Sequence, residues 1–213
     1  MKIEVWSDVI CPWCYIGKRR LQTALARFEH AGDVRVTWRS FQLDPSQQRG
    51  DNRPTTEMLA TKYGVPAAQA QTMQDRVTAL AAEEGLSYHL DRSLTANTFD
   101  AHRLTHFAAA RDAADAIHER LFRAALVEGE AVDDTDTLVR IATDAGLPAD
   151  EARAVIEGDA YTAEVHEDIR TARKLGATGV PFFVFNRTYG ISGAQPIEAF
   201  LATLEKAASP VGS

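Results

Sequence analysis

The chain has 213 residues, of which 45% are hydrophobic, 25% charged and 8% aromatic, a composition that excludes disordered and fibrous classes. Lys and Arg number 23 against 30 Asp and Glu, and the net charge of -7 argues against a nucleic-acid partner. The sequence has neither an apolar run of the ~20 residues that a membrane span requires nor the basic, then apolar start of a secretory signal. We therefore expect a mature cytoplasmic protein that does not associate with membranes.

The first 43 residues predict a strand, a helix and a second strand. Residues 2–8 alternate polar and apolar side chains, as a strand does. From Pro12 onward the apolar residues recur at helical spacing, which predicts a helix that ends near Gly32. Residues 34–43 alternate again and predict the second strand.

Helical signals dominate the middle of the chain, from residue 44 to about residue 150. First-turn prolines and capping residues indicate helix starts at Pro54, Pro66, Asn97 and Asp133 or Asp134. Most of the alanines, the best helix formers, lie here or just beyond. We predict four or five helices in this segment, followed by helical stretches over residues 147–156 and 161–175.

The C-terminal part returns to strands. Phe182–Phe185 predicts a buried strand, residues 186–188 a tight turn, and Tyr189–Ser192 the partner strand of a hairpin. Pro196 opens a last helix. The order is that of an α/β protein with a thioredoxin-like fold (β-α-β, then α-β-β-α) and a large all-helical insertion. We place the thioredoxin-like domain at residues 1–45 and 158–213, and the inserted subdomain at residues 46–157.

The motif that carries chemistry is Cys11-Pro12-Trp13-Cys14, which contains both cysteines of the chain. It lies where the first strand passes into the first helix. If Cys11 is the N-cap, the free amides of Trp13 and Cys14 point toward its sulfur, and the positive end of the helix favours the thiolate. Such positions lower a cysteine pKa from about 8.5 to roughly 3.5–7.5. We therefore expect Cys11 to be the nucleophile and Cys14 the resolving thiol.

A zinc site is the structural alternative for this motif. A single Cys-x-x-Cys supplies two of the roughly four ligands that zinc requires, so histidines would have to complete the set. His102 and His106 lie four residues apart on one face of a predicted helix. A binding or chaperone-like module with zinc on Cys11, Cys14 and a histidine therefore stays open, although we predict no metal.

A second motif, Thr178-Gly179-Val180-Pro181-Phe182, comes directly before the buried strand near the C-terminus. Thioredoxin-like enzymes need a cis proline at this point. Its backbone places the peptide groups of the preceding residue next to the active cysteine, where an extended substrate can pair with them. The fold assignment thus predicts that Pro181 is cis, although cis accounts for only about 5–6% of X-Pro bonds.

Several stretches spread over nearly the whole chain resemble the DsbA-like thioredoxin family, and within it the cytosolic FrnE-type group. They are SDVICPWCYIGKRRL (7–21), WRSFQLDP (38–45), NTFDAHRL (97–104), GATGVPFFVF (176–185) and YGISGAQP (189–196). The resemblance implies a thiol-disulfide oxidoreductase or disulfide isomerase in which Cys11 attacks, Cys14 resolves and Pro181 is the cis proline. It also implies that the helical insertion caps the site.

The expected partners are proteins or peptides that contain disulfides or thiols, together with low-molecular-weight thiols. We expect no cofactor, with glutathione retained as a candidate co-substrate, and we assign substrate contacts to Pro12, Trp13, Val180, Asn97 and His102. The same superfamily contains 2-hydroxychromene-2-carboxylate isomerases and kappa glutathione transferases, which usually carry serine in place of Cys11. A glutathione-dependent isomerase or transferase acting on an aromatic or polyketide-like molecule is therefore the alternative function.

Overall fold

The computed structural model describes residues 1–209, and contacts among them divide the chain into two compact units. One unit consists of Met1–Leu43 together with the chain from Asp168 onward, and the other of Asp44–Glu167. The predicted domain limit at 45/46 lies close to the observed division at 43/44. The predicted limit at 157/158 comes before the observed division at 167/168. They stay predictions, and residues 210–213 of the predicted C-terminal segment lie outside the described residues.

The secondary structure follows the predicted order, with strands at both ends and helices between them. The strands are β1 (Lys2–Ser7), β2 (Arg35–Ser40), β3 (Phe182–Phe185) and β4 (Tyr189–Ser192). The helices are α1 (Pro12–Arg27), α2 (Thr55–Tyr63), α3 (Ala67–Glu83), α4 (Phe99–Ala109), α5 (Ala114–Arg123), α6 (Thr135–Asp144), α7 (Ala149–Glu157), α8 (Thr162–Lys174) and α9 (Ile197–Ala208). A π-helical turn at Ala124–Glu128 and 3-10 turns at Ala31–Asp33 and Leu90–Arg92 complete the set.

The strands form one mixed sheet within residues 1–209, in the order β2-β1-β3-β4. β1 pairs parallel with β2 and antiparallel with β3, and β3 pairs antiparallel with β4. A parallel pair needs a crossover connection, and α1 supplies it between β1 and β2. This is the predicted thioredoxin-like arrangement, which is confirmed. Because β1 and β3 are adjacent, the start of α1 and the segment before β3 meet at the same end of the sheet.

Aromatic and aliphatic side chains bury the sheet of the first unit. β1 is buried along its whole length except at Lys2. Phe183 of β3 meets Phe200 of α9 edge to face, with ring centroids 4.8 Å apart. Trp6 packs with Ala172 of α8, and its indole nitrogen donates to the Asp168 carbonyl at 2.8 Å. Helices α8 and α9 therefore both contact the strands that position the site.

Two predicted ends were wrong, and the structure shows why. The first helix ends at Arg27 rather than near Gly32, because Phe28 takes an extended conformation and a 3-10 turn follows. The second strand ends at Ser40 rather than at residue 43. There the buried Asp8 carboxylate accepts a hydrogen bond from the Leu43 amide at 2.8 Å, which draws the chain away from the sheet.

The buried carboxylate of Asp133 connects several segments of the helical unit by hydrogen bonds. Asp133, which is only 2% exposed, accepts hydrogen bonds from the Gly50 amide (3.1 Å), the Asn97 amide (3.1 Å) and the Asn52 side chain (2.9 Å). The next residue, Asp134, is the N-cap of α6, as predicted. These bonds connect the segment before α2 to the segment before α4, and they satisfy backbone groups that would otherwise be buried without partners.

A second buried carboxylate, Glu4 of β1, is the centre of an ionic cluster in the first unit. Its side chain is 1% exposed and contacts Arg39 at 2.8 Å and Arg187 at 2.8 Å. Arg39 also contacts Asp168 at 3.1 Å, which joins β2 to α8. Hydrogen bonds from Arg187, and then the bond and charge of Arg39, lower the pKa of Glu4 from 4.5 to about 2 against the opposing effect of burial.

We expect Glu4→Gln to lower the free energy of unfolding by about 3 kcal/mol at neutral pH, since each pKa unit corresponds to about 1.4 kcal/mol. The pKa of Glu4 is lower in the folded than in the unfolded chain, so its contribution is present above pH 4.5 and is lost as the pH falls toward 2. Urea unfolding followed by circular dichroism at several pH values measures the difference between wild type and variant.

The matched control is Glu29→Gln, which changes an exposed glutamate and should leave stability unaltered. The difference in free energy of unfolding between wild type and Glu4→Gln should be smaller at pH 3 than at pH 7. An equal difference at both pH values would contradict the assignment of this stability to the Glu4 carboxylate.

Candidate active site

The Cys11-Pro12-Trp13-Cys14 motif occupies the turn between β1 and α1. The Cys11 amide donates to the Asp8 carbonyl at 3.0 Å, which closes the turn after the strand. Cys11 is the N-cap of α1 in an extended conformation, and Pro12 is the first helical residue. Proline suits this position because its fixed φ fits the helix and its missing amide proton has no partner to lose. Both cysteines are buried free thiols.

The structure corrects one expectation about Cys11. No helix amide donates to its side chain, and the Cys14 amide donates instead to the Cys11 carbonyl at 3.0 Å. The Cys11 sulfur is turned toward the C-terminal segment, where its thiol donates to the Val180 carbonyl over 3.7 Å. Direct hydrogen bonds from the Trp13 and Cys14 amides to this sulfur are therefore absent. The expected effect of the helix terminus on the sulfur stays a prediction.

Pro181 lies directly beyond this carbonyl, at the entrance to β3. The Val180–Pro181 peptide bond is cis, as predicted. The Pro181 carbonyl accepts from the Gly193 amide at 2.8 Å, which fixes the segment to the end of β4. The structure therefore brings Cys11, Cys14, Val180 and Pro181 together in the first unit.

Cys14 is held in a different environment from Cys11. Its side chain is 1% exposed, and burial, followed by the hydrogen bond and charge of neighbouring Cys11, raises the pKa of the Cys14 thiol well above its ordinary value. The backbone of Asp8 and the hydroxyl of Ser7 act in the opposite direction and lower the pKa of Cys14. At neutral pH Cys14 is consequently a protonated thiol.

Two of the predicted contact residues of the first unit, Trp13 and Val180, differ in exposure. Trp13 is 39% exposed, one of the larger exposed apolar side chains among residues 1–209. Val180, Phe182 and Phe41 are partly buried and pack against the cluster around Trp6. A role of Pro12, Trp13 and Val180 in substrate contact stays a prediction.

The other two predicted contact residues belong to the helical unit. The Asn97 side chain donates to the Gln47 carbonyl at 2.8 Å and accepts from the Phe99 amide at 3.0 Å. It thus caps the start of α4 from one residue ahead of the formal N-cap, Thr98. His102 is fully buried within α4. Their assignment to substrate binding stays a prediction.

Among the described residues, no group of three or more His, Cys, Asp and Glu side chains is arranged to hold a metal ion. His106, considered as a ligand, stacks on Tyr161 with ring centroids 6.4 Å apart. Within residues 1–209, every helix is too short or too polar to cross a bilayer.

Sequence reasoning missed three residues that contact the site: Ser7, Asp8 and Gly17. Ser7 and Asp8 lie beside the Cys14 sulfur because the chain reverses between β1 and α1. Gly17 lets α1 approach β3, since a Cβ at this position would lie 3.0 Å from both the Pro181 and the Phe183 side chains. A glycine inside a predicted helix was the available signal for that close approach.

The sheet order, the cysteine pair at the start of α1 and the cis proline before β3 define a thioredoxin-like protein of the thiol-disulfide oxidoreductase class. A family model described as DSBA-like thioredoxin domain matches residues 2–205. The chain therefore belongs to the DsbA-like thioredoxin family, and the resemblance to its FrnE-type group fits this result.

Two relatives match over nearly the full length. The crystal structure of a probable DsbA oxidoreductase from Streptomyces coelicolor is 45% identical, with a TM-score of 0.95, and the match covers 100% of this chain and 93% of that one. The uncharacterized protein YwbO of Bacillus subtilis is 26% identical over 210 residues, 96% of this chain and 97% of its own.

Two more distant structures share the fold. The 2-hydroxychromene-2-carboxylate isomerase is 15% identical with a TM-score of 0.67, over 97% of this chain and 94% of that one. The cytosolic disulfide reductase DsbM of Pseudomonas aeruginosa is 20% identical with a TM-score of 0.65, over 97% of this chain and 98% of that one. The expected relation to 2-hydroxychromene-2-carboxylate isomerases is confirmed at the level of the fold, and the relation to kappa glutathione transferases stays a prediction.

We expect Gly17→Ala to destabilise the protein and to slow the reaction of Cys11. Alanine gains about 1 kcal/mol in helix propensity, but the added methyl group crowds Pro181 and Phe183, and overpacking costs roughly 1–3 kcal/mol. Urea unfolding and the rate of alkylation of Cys11 measure the two effects. Gly32→Ala is the control, because a Cβ there has no neighbour within 4 Å. Equal stability and reactivity of Gly17→Ala and wild type would show that the contact is unimportant.

Proposed function

We propose that this protein is a thiol-disulfide oxidoreductase or disulfide isomerase that uses Cys11 as nucleophile and Cys14 as resolving thiol. The Cys11 thiolate attacks one sulfur of a substrate disulfide, forms a mixed disulfide and releases the other substrate sulfur as a thiolate. Cys14 then attacks the Cys11 sulfur, which frees the remaining substrate thiolate and leaves a Cys11–Cys14 disulfide. The substrate gains the two electrons that the protein dithiol loses.

The observation that carries this proposal is the position of the Cys11 sulfur, which is at the start of α1 and 3.7 Å from the Val180 carbonyl. A substrate cysteine that forms a bond to this sulfur would lie beside the backbone of Val180. An extended peptide can form hydrogen bonds to such a backbone segment, because Pro181 interrupts pairing with the protein's own chain. The arrangement thus supports peptides and proteins as disulfide substrates.

The different environments of the two cysteines support the order of attack. Cys11 is at the helix terminus, where the partial positive charge favours an anion. Cys14 is buried more deeply, and its pKa is raised by that burial. A thiolate reacts, whereas a thiol does not, so Cys11 attacks first and Cys14 follows once the mixed disulfide has formed.

Low-molecular-weight thiols are the proposed electron donors, with glutathione as a candidate co-substrate and no metal or organic cofactor. The DsbM relative is described as a cytosolic disulfide reductase, and a second structure of it carries the description "with GSH". We accordingly place this protein in the cytoplasm, where a reducing environment favours reduction or isomerisation over net oxidation of substrates.

The proposal predicts that Cys14→Ala traps mixed disulfides through Cys11 and loses turnover. Without the resolving thiol, the substrate remains bound through the disulfide, and insulin reduction in the presence of a thiol donor should fall by at least about tenfold. Mass spectrometry of the trapped adduct and insulin turbidity measure these outcomes. The Cys11→Ala variant is the control and should form no adduct. Failure of the wild type to reduce insulin or to reshuffle a scrambled protein would refute the proposal.

The alternative function, a glutathione-dependent isomerase or transferase, has the shared fold of the 2-hydroxychromene-2-carboxylate isomerase in its favour. Such an enzyme activates the thiol of glutathione, so it would retain substantial activity in Cys14→Ala. It would also bind glutathione saturably and gain thermal stability from it. The absence of any thermal shift with millimolar glutathione, measured on a variant with both cysteines replaced by alanine, would count against this alternative.

A further inference from the structure

Ser7 is the last residue of β1 and lies directly behind the cysteine motif. It is fully buried, and it is paired in the sheet register with Ser40 of β2. Its carbonyl accepts a hydrogen bond from the Phe41 amide at 3.1 Å. The backbone of Ser7 is thus held by the sheet, and the position of its hydroxyl is restricted to rotation about a single side-chain bond.

The Ser7 hydroxyl has no nitrogen or oxygen partner within the part of the chain that the structure describes. Leaving a buried hydroxyl without such a partner costs on the order of 1–3 kcal/mol, so proteins rarely tolerate it. The sulfur of Cys14 lies beside this hydroxyl, in a side chain that is itself 1% exposed. A neutral thiol is a weak acceptor, whereas a thiolate is a strong one.

We propose that Ser7 is a catalytic residue of the resolving step, and that its hydroxyl donates a hydrogen bond to the Cys14 sulfur as this sulfur becomes an anion and attacks. This inference rests on the proposed disulfide exchange and assigns a further residue to it. The buried hydroxyl has a strong hydrogen-bond acceptor only during the reaction, when the Cys14 sulfur carries a negative charge.

In the resolving step, Cys14 gives its proton to water, and its sulfur forms a bond to the Cys11 sulfur of the mixed disulfide. The bond between the Cys11 sulfur and the substrate sulfur breaks, and the substrate leaves as a thiolate. Ser7 keeps its own proton throughout, because it donates a hydrogen bond and transfers nothing. The protein dithiol is oxidised and the substrate disulfide is reduced.

Cys14 needs such a donor because burial disfavours its anion. Apart from the adjacent Cys11, the groups that act on its sulfur are the Asp8 backbone and the Ser7 hydroxyl, and both of these stabilise negative charge. A hydrogen bond to a charged group contributes more than one between neutral groups, so removal of the hydroxyl should slow the attack of Cys14 by about tenfold or more. The attack of Cys11, which precedes this step, should be unaffected.

The test uses the full-length reduced protein and dithiobis(nitrobenzoate), an aromatic disulfide whose released thiolate absorbs visible light. The first thiolate released reports the attack of Cys11 on the reagent, and the second reports resolution by Cys14. Stopped-flow measurement separates the two phases. In Ser7→Ala we expect a first phase equal to that of wild type and a second phase slowed by about tenfold or more.

Ser40→Ala is the matched control, since Ser40 is a buried serine at the same level of the sheet. It should leave both phases unchanged. If Ser7→Ala fails to fold, the pair Ser7→Thr and Ser7→Val replaces it, because the two side chains have nearly the same shape and differ in the hydroxyl. The second phase should then be faster in Ser7→Thr than in Ser7→Val by a similar factor.

The outcomes separate this inference from the proposed function. A wild type that never releases a second thiolate overturns the disulfide exchange itself. A wild type with two phases, and a Ser7→Ala variant with the same second phase, overturns the role of Ser7 alone. Equal slowing of both phases in Ser7→Ala also overturns it, because a general disturbance of the fold would then account for the effect.

Discussion

The turn at Asp8 is the constraint on which the geometry of the site depends. Its carbonyl accepts from the Cys11 amide at 3.0 Å, and its carboxylate accepts from the Leu43 amide at 2.8 Å. Its backbone also lies at the Cys14 sulfur. One buried residue therefore holds the end of β1, the start of α1 and the chain that leaves β2. Two of these contacts are made by the backbone of Asp8, which directly follows β1.

The two sulfurs have polar partners of opposite kinds. Cys11 faces the Val180 carbonyl, to which its thiol donates over 3.7 Å. Cys14 is beside a hydroxyl and a backbone group that favour its anion, while burial favours the thiol. The two cysteines therefore differ in their polar surroundings as well as in their burial.

The order of elements and the cysteine motif could be predicted because they depend on local patterns: alternation in strands, helical periodicity and a first-turn proline. Contacts between residues that are distant in the chain could not be predicted from such local patterns. Glu4 looks like an exposed residue of an alternating strand, yet it is buried against Arg187, far along the sequence. The place of Val180 beside Cys11 could be predicted, but only through the fold assignment, which puts the residue before a cis proline next to the active cysteine. Local sequence patterns alone specify neither partner.

The interrupted sheet has a consequence for synthesis of the chain on the ribosome. β1 pairs with β2 early, but its other edge pairs with β3, which begins only at Phe182. Until that strand emerges, the early segment has an unpaired edge and carries both cysteines of the protein. The whole helical unit, Asp44–Glu167, is translated in the meantime and can fold first. Completion of the sheet is therefore a late event in the synthesis of the chain.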